Sequence, residues 1–166
     1  MAIPQSSRRI TVTESIQVDR PPAEVFDFTQ DYARRGEWDR LVTGTRSLDG
    51  GVRRFRIRVR GTGSYTIEYR LFRRAERTSA RFTDVDSSWL AGGGGSWRYQ
   101  PSGSGTRWVQ TNTLELRPRW WLRPARSLVR LALRHSMRRA MSNAKRLMES
   151  GATTPPVRLG ANRAAA

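Results

Sequence analysis

Apolar and polar residues alternate along several segments of this chain, which is the pattern of half-buried β-strands. The alternation begins at residues 9–19, where Ile10, Val12, Ile16 and Val18 fall on one side. Further strands with this character are predicted at about 77–86, 95–100 and 105–116. Clusters of glycine, proline and serine between these segments are typical of turns, so we expect an antiparallel sheet.

The strictest alternation lies in residues 55–60 and 65–71, where apolar side chains occupy the odd positions. The even positions of the first segment are all arginine. A three-residue turn at Gly61-Thr62-Gly63 keeps the odd positions of both strands on one face. We therefore predict a β-hairpin whose arginines face solvent, with Glu68 opposite Arg56.

Three segments carry helix signals instead. Pro22 occupies the first position of a short helix that continues to Phe28, with an acidic residue in its first turn. A second short helix or turn is predicted at 32–39, which contains Trp38. A long helix is predicted from about Pro124 to Glu149. Its apolar arc contains Val129, Leu133, Met137, Ala140, Met141, Ala144, Leu147 and Met148.

These elements predict an α+β domain in which a sheet of about six or seven strands packs on a long C-terminal helix. The last strand places Trp108, Leu114 and Leu116 on its inner face together with Gln110 and Asn112. Buried amides require hydrogen-bond partners, or a cavity that holds water or a ligand. Aromatic residues are also expected on inward strand faces, as core or as cavity lining: Tyr65, Tyr69, Trp97 and Tyr99.

The amino-acid composition mainly excludes certain kinds of catalytic and metal site. The 166 residues contain no cysteine and one histidine, which excludes thiol nucleophiles, disulfides, iron–sulfur clusters and multi-histidine metal sites. That histidine, His135, lies away from the apolar arc of the long helix, so we do not expect it to act as a base. The Gly92–Gly95 run lacks the lysine of a phosphate loop and is interpreted as a flexible loop at a cavity rim. We expect no cofactor and no metal.

The net charge of +17 at first suggests a polyanion as partner. However, Lys145 is the only lysine, and the arginines are spread along the whole chain instead of forming one block. Most of them are expected on a solvated face. We do not expect nucleic acid as a partner, because the aromatic residues that would stack on bases alternate inward.

The order of several motifs resembles the START-like superfamily, the SRPBCC group that includes the polyketide cyclase/dehydrase and lipid-transport family. The resemblance spans about residues 8–150 and depends on the order and spacing of the motifs. It begins with a first strand at Ile10–Val18 and continues through Pro22–Phe28 and Gly36-Glu37-Trp38-Asp39. Paired strands at Gly95–Tyr99 and Gly105–Val109 follow, and Leu147-Met148-Glu149 resembles the usual helix end.

The resemblance implies a helix-grip fold, in which a curved sheet wraps the last helix around a deep apolar cavity. Members of this group bind hydrophobic small molecules, and some are enzymes. We therefore expect a hydrophobic ligand as partner, with a polyketide aromatase/cyclase as the alternative function. The candidate ligand-binding residues are Trp38, Tyr65, Tyr69, Trp97, Tyr99, Trp108, Gln110, Asn112, Arg126, Arg130, Leu133, Met137 and Met141.

Arg126 and Arg130 enter that set because they continue the apolar arc of the long helix toward its start. An arginine there offers a planar, permanently charged group to an acidic or phenolate ligand. The other interpretation is that both side chains extend to solvent at the rim of the sheet.

The junction before this helix, Trp120-Trp121-Leu122-Arg123, combines paired tryptophans with flanking arginines. That chemistry suits an anionic membrane surface, and hence lipid transfer. A lid over the cavity and an oligomer contact are alternatives. We expect a flexible segment at residues 1–7, one domain at 8–150 and a disordered tail at 151–166. The start of the chain lacks an apolar secretory core, so a cytoplasmic location is expected.

Overall fold

The computed structural model describes residues 8–49, 53–118 and 122–151, and the side chains from residue 125 onward in the last of these ranges. Seven antiparallel strands form one sheet in the order β1-β7-β6-β5-β4-β3-β2. The strands are β1 Arg9–Val18, β2 Val42–Ser47, β3 Arg54–Val59, β4 Gly63–Arg73, β5 Arg77–Asp86, β6 Leu90–Ser102 and β7 Gly105–Leu116. The predictions of residues 1–7, of Trp120 and Trp121, and of the tail beyond Gly151 lie outside the described residues.

Two short helical elements follow β1, as predicted. Helix α1, Pro22–Gln30, has Pro22 in its first turn, where the missing amide proton costs no hydrogen bond. A 3₁₀ turn, Tyr32–Arg34, leads directly into the single helical turn α2, Arg35–Trp38. The long helix α3 spans Leu122–Glu149.

The curved sheet packs its inner face on α3 and on the two short helical elements. The apolar arc of α3 supplies the buried residues Met137, Ala140, Met141, Ala144 and Met148. All of these except Met137 form one buried cluster with sheet residues that include Ile57, Tyr65, Ile67, Trp97 and Trp108, whereas Met137 packs in a smaller cluster on β1 and β7. The predicted α+β helix-grip architecture is confirmed, including the inward face of β7.

The hairpin of β3 and β4 has the predicted faces but a different register. Val59 pairs with Gly63, so the turn is Arg60-Gly61-Thr62, one residue earlier than predicted. Gly61 adopts a φ of 76°, the left-handed conformation that glycine favours. As a result Glu68 lies opposite Arg54 and not opposite Arg56, which corrects the predicted pair.

The prediction of a flexible loop at Gly92–Gly95 was wrong, because these residues lie inside β6. Backbone and side-chain atoms around the last three of these glycines leave no room for a side chain. A Cβ on Gly94 would lie 2.6 Å from the carbonyl oxygen of Ala80, and one on Gly95 would lie 2.7 Å from the Trp97 indole. Strand β6 therefore starts at Leu90, before the predicted segment, and close packing explains its glycines.

Strand β2 was not among the strands predicted from the sequence. Its sequence, VTGTRS, is mostly polar, and its side chains are largely exposed because β2 is an edge strand. Among the described residues, no helix is long and apolar enough to cross a membrane.

Candidate ligand-binding site

A cavity of about 300 Å³, partly open to solvent, lies between the inner face of the sheet and the middle of α3. Strands β3 to β7 form one wall, and α3 forms another with Val129, Leu133, Met137 and Ala140. The 3₁₀ turn and α2 close one side of it. Most of the lining side chains are aliphatic or aromatic, as expected of a site for small organic molecules.

Six of the predicted ligand-binding residues line this cavity. Gln110 and Asn112 project side by side from β7, and the Gln110 amide donates a hydrogen bond of 3.3 Å to the Asn112 side-chain oxygen. The six residues are Tyr65, Trp97, Gln110, Asn112, Leu133 and Met137.

Five others belong to the packed interior beside the cavity. Trp38 is fully buried and meets Trp108 edge to face at 5.9 Å between ring centroids. Met141 is buried in the cluster on α3. The remaining two are tyrosines, Tyr69 and Tyr99, which form a hydrogen-bonded network.

That network connects strands β4 and β6 to α1 through side-chain hydrogen bonds. The Tyr69 hydroxyl donates to the side-chain oxygen of Gln30, and the Gln30 amide donates to the Tyr99 hydroxyl at 2.6 Å. The Tyr99 hydroxyl also lies 2.7 Å from Thr29 Oγ1, which donates to the carbonyl oxygen of Val25. Each of these buried polar side chains has a partner within the network, so the network fixes the position of α1 on the sheet.

Arg126 and Arg130 lie outside the cavity wall. Arg126 donates a hydrogen bond of 3.1 Å to the carbonyl oxygen of Arg9 on the edge strand β1. The Arg130 side chain borders a separate polar depression beside β1 and β7. His135 is exposed on the opposite face of α3, as predicted.

The charged residues that do line the cavity escaped the sequence analysis. Arg35 and Asp39 form an ion pair of 3.2 Å, and both border the cavity. Only 8% of Arg35 is exposed, and its guanidinium lies 4.0 Å from the Trp38 ring centroid. The signal was present in the i, i+4 spacing of the two residues, but spacing alone does not distinguish a buried pair from an exposed one.

Burial sets the protonation of these groups. Burial lowers the pKa of Arg35, but the charge and hydrogen bond of Asp39 together with the neighbouring Tyr32 and Tyr69 outweigh this effect, so the pKa of Arg35 is raised and the side chain stays cationic. Burial raises the pKa of the Tyr65 hydroxyl, and Arg35 only partly opposes that shift. Tyr32, which also lines the cavity, has its pKa raised by burial, and Arg35 and the nearby Tyr69 hydroxyl oppose this only in part. The tyrosines are therefore neutral hydrogen-bond donors at physiological pH.

Several buried polar atoms of the lining residues have no partner at hydrogen-bond geometry in the described part of the chain. Three are donors: the Tyr32 hydroxyl, Nη1 of Arg35 and Nε1 of Trp97. One is an acceptor, Oε1 of Gln110. These four atoms are themselves buried, so leaving them unpaired costs free energy in the folded state.

The described residues contain no group of three or more histidine, cysteine, aspartate or glutamate side chains able to hold a metal ion. A seven-stranded sheet that grips a long helix around a mainly apolar cavity defines the class of helix-grip proteins. Within that class, a family model described as "Polyketide cyclase / dehydrase and lipid transport" matches residues 9–149, and the chain belongs to this family.

Solved structures share the fold at low sequence identity. A protein of Thermus thermophilus has a TM-score of 0.74 and 18% identity, over 87% of this chain and 100% of its own. The ZhuI aromatase/cyclase of Streptomyces sp. R1128 has a TM-score of 0.73 and 15% identity, over 88% and 97%. The di-domain aromatase/cyclase StfQ from the steffimycin biosynthetic pathway has a TM-score of 0.72 and 13% identity. It is matched over 89% of this chain and 54% of its own. No curated protein matches the sequence significantly.

Proposed function

We propose that this protein binds a hydrophobic small molecule in the cavity between the sheet and α3. The observation that carries the proposal is a mainly apolar cavity of about 300 Å³, bounded on one side by the sheet and on the other by α3. This volume is at the small end of the range of roughly 300–1,000 Å³ for ligand pockets. A compact aromatic or short acyl compound fits such a space better than a long lipid.

Native mass spectrometry of the purified protein tests this proposal. We expect a co-purifying small molecule, or binding of the neutral fluorescent probe N-phenyl-1-naphthylamine with displacement by hydrophobic competitors. A protein that carries no ligand and does not bind the probe would contradict the proposal.

A second candidate function is that of a polyketide aromatase/cyclase. It is supported by the family and by the presence of Tyr32, Arg35 and Tyr65 among the residues that line the cavity. Such groups can orient a bound poly-keto chain and stabilise an enolate without a catalytic triad. The test is turnover of a reactive poly-keto mimic by the wild type and by the Y32F/Y65F double variant. Cyclised product above the uncatalysed rate, reduced in the variant, supports the enzyme; equal rates with and without protein exclude it for that substrate.

Contact with an anionic membrane is a separate proposal, and lipid transfer would require it. Leu128 and Leu131 on α3 are 68% and 63% exposed, beside the exposed Arg130 and Arg134. Apolar side chains bordered by arginine suit an anionic lipid interface. Flotation with vesicles that contain phosphatidylserine tests this proposal. We expect the L128S/L131S variant to lose vesicle binding. The control variant L48S changes an exposed leucine after the end of β2 and should still bind. Equal flotation of both variants would contradict the proposal.

A further inference from the structure

The two edges of the sheet differ in how their backbone groups are satisfied. At the β1 edge, side chains of α3 bind the strand: Lys145 donates a hydrogen bond of 2.8 Å to the carbonyl oxygen of Gln17. Arg126 donates one of 3.1 Å to the carbonyl oxygen of Arg9 at the start of the same strand. The opposite edge is β2, and in the described part of the chain β3 is the only strand paired with it.

The register of β2 on β3 shows which backbone groups of β2 face outward. The amide of Leu48 donates a hydrogen bond of 2.9 Å to the carbonyl oxygen of Arg54, so these two residues form a hydrogen-bonded pair. Because such pairs alternate along an antiparallel ladder, Arg46 also bonds to β3, while the amide and carbonyl groups of Thr45 and Ser47 point away from the sheet. An edge with outward backbone groups can pair with one more strand.

The solvent-facing side of this edge is cationic. Arg46 lies directly opposite Arg56 on β3, and Arg54 and Arg58 lie on the same face of that strand. Arg56 turns toward β4, where it donates a hydrogen bond of 2.7 Å to the Ser64 hydroxyl. The other three arginines are exposed and form no ion pair within the described residues. Like charges opposite each other destabilise a sheet, so a carboxylate beside Arg46 would stabilise this edge.

This charge decides which kind of strand fits the edge. A second copy of the chain would bring its own Arg46 against this one, so the arginines oppose pairing between two β2 edges. An acidic strand meets the opposite condition. Its residue opposite Arg46 would have its Cβ about 4.5–5.5 Å away, and alternate residues of that strand would lie on the same cationic face.

Nucleic acid fits this surface less well, because bases need exposed aromatic side chains on which to stack. Strand β2 contains no aromatic residue. The aromatic residue of β3, Phe55, stacks on Tyr32 on the inner side of the sheet, with 4.6 Å between ring centroids.

We propose that β2 is a docking edge for an extended acidic segment of another protein, which adds one strand to the sheet and places a carboxylate beside Arg46. Backbone hydrogen bonds to Thr45 and Ser47 hold the segment, and the arginine selects acidic side chains. The inference is independent of the proposed ligand-binding function, because none of these three residues lines the cavity.

Two fluorescein-labelled peptides separate strand pairing from simple charge attraction. The first has glutamate at every second position and valine between the glutamates, so its valine amides would face β2. The second is identical except that these valine amides are N-methylated, which keeps the charge and removes the hydrogen-bond donors. Fluorescence anisotropy at constant salt gives both dissociation constants, and nuclear magnetic resonance measures hydrogen exchange at the amides of Thr45 and Ser47.

Three variants test the residues of the edge. Arg46→Glu reverses its charge, and Thr45→Pro removes an outward amide, a change that edge strands tolerate. Arg139→Glu is the matched control, because Arg139 is an exposed arginine of α3. Circular dichroism shows whether each variant is folded.

We expect the wild type to bind the unmodified peptide and to discriminate against the N-methylated one. Arg46→Glu should weaken binding of the unmodified peptide about ten-fold or more relative to Arg139→Glu, and Thr45→Pro should abolish it. Saturating peptide should protect the amides of Thr45 and Ser47 from exchange. This measurement on the wild type decides the question if Thr45→Pro does not fold.

The inference is overturned if the N-methylated peptide binds as tightly as the unmodified one, or if the exchange of the two amides is unchanged at saturation. It is also overturned if the wild type binds neither peptide, or if Arg46→Glu binds as tightly as Arg139→Glu. A single-stranded thymidine oligonucleotide that binds the wild type but not Arg46→Glu, where the peptide fails to bind, would assign the surface to nucleic acid instead.

Discussion

At the scale of single residues, the hydroxyl of Tyr99 shows how the site is supported. It accepts a hydrogen bond from Gln30 and lies within hydrogen-bond distance of Thr29, so two side chains of α1 depend on it. Tyr65 is buried on the same sheet, and its hydroxyl takes no part in this network. Comparing substitutions of Tyr99 and Tyr65 therefore separates the effect of the hydrogen-bonded network on stability from the effect of burial.

We predict that Tyr99→Phe lowers the free energy of unfolding by about 1–3 kcal/mol, because it leaves the Gln30 amide without its acceptor. Tyr65→Phe should cost clearly less. Denaturant unfolding with an unchanged m-value measures the difference. Equal losses in the two variants would show that the network does not stabilise α1 on the sheet.

The sequence predicted the position of a side chain in the fold wherever that position follows from a repeating pattern of apolar and polar residues. The inward face of β7, with Gln110 and Asn112, follows from strict alternation. Arg35 was not predictable in this way, because a charged residue is placed inside only by its tertiary partners, here Asp39 and the Trp38 ring. Local sequence contains no signal for such a placement.

At the scale of secondary-structure elements, one carboxylate joins α3 to the sheet in addition to the apolar packing between them. Glu14 of β1 is bound by Arg134 at 2.9 Å and by Arg138 at 2.8 Å, and only 11% of its side chain is exposed. Glu115 on the neighbouring strand β7 forms one pair with Arg9, and that side chain is 45% exposed.

We therefore predict that Glu14→Gln destabilises the protein by about 1–3 kcal/mol, because two ion pairs of a mostly buried carboxylate are lost, one of which is also a hydrogen bond. Glu115→Gln, the matched exposed substitution, should cost no more than about 1 kcal/mol. Thermal unfolding at low and high salt gives both values. A larger loss in Glu115→Gln than in Glu14→Gln would contradict this account of how α3 is held.

The elements also show where pattern reasoning stops. The alternation of apolar and polar residues located strands β3 and β4 correctly. The register between them depends on which three residues form the turn, and the turn around Gly61 begins one residue earlier than predicted. A run of glycines has no side-chain pattern, so only the packing around Gly94 and Gly95 reveals that it belongs to β6.

At the scale of the whole molecule, the four tyrosines of the sequence, Tyr32, Tyr65, Tyr69 and Tyr99, are all buried. Burial raises the pKa of each above its ordinary value. A raised pKa in the folded state means that folding favours the neutral phenol. Burial of the neutral phenol therefore contributes fully to stability below the pKa of about 10 that tyrosine has in the unfolded chain. This contribution is lost as the pH rises through the pKa of the folded state.

The expected result is that stability falls as the pH increases above about 10, while the folded protein shows no tyrosinate absorbance. The near-ultraviolet tyrosinate signal should appear only as the protein unfolds, for all four tyrosines together. Parallel circular dichroism measures unfolding at each pH. A tyrosine that titrates near its ordinary pKa in the folded protein would show that its hydroxyl is open to solvent.

The central claim is that the space between the sheet and α3 binds a hydrophobic small molecule, and a cavity-filling substitution tests it most directly. Leu133 lines the cavity, whereas Leu131 lies on another face of α3 and is 63% exposed. The measurement is the dissociation constant of N-phenyl-1-naphthylamine for the wild type, L133W and L131W, with circular dichroism to confirm folding. The account predicts that L133W loses probe binding while L131W retains it; equal binding by the two folded variants would contradict it.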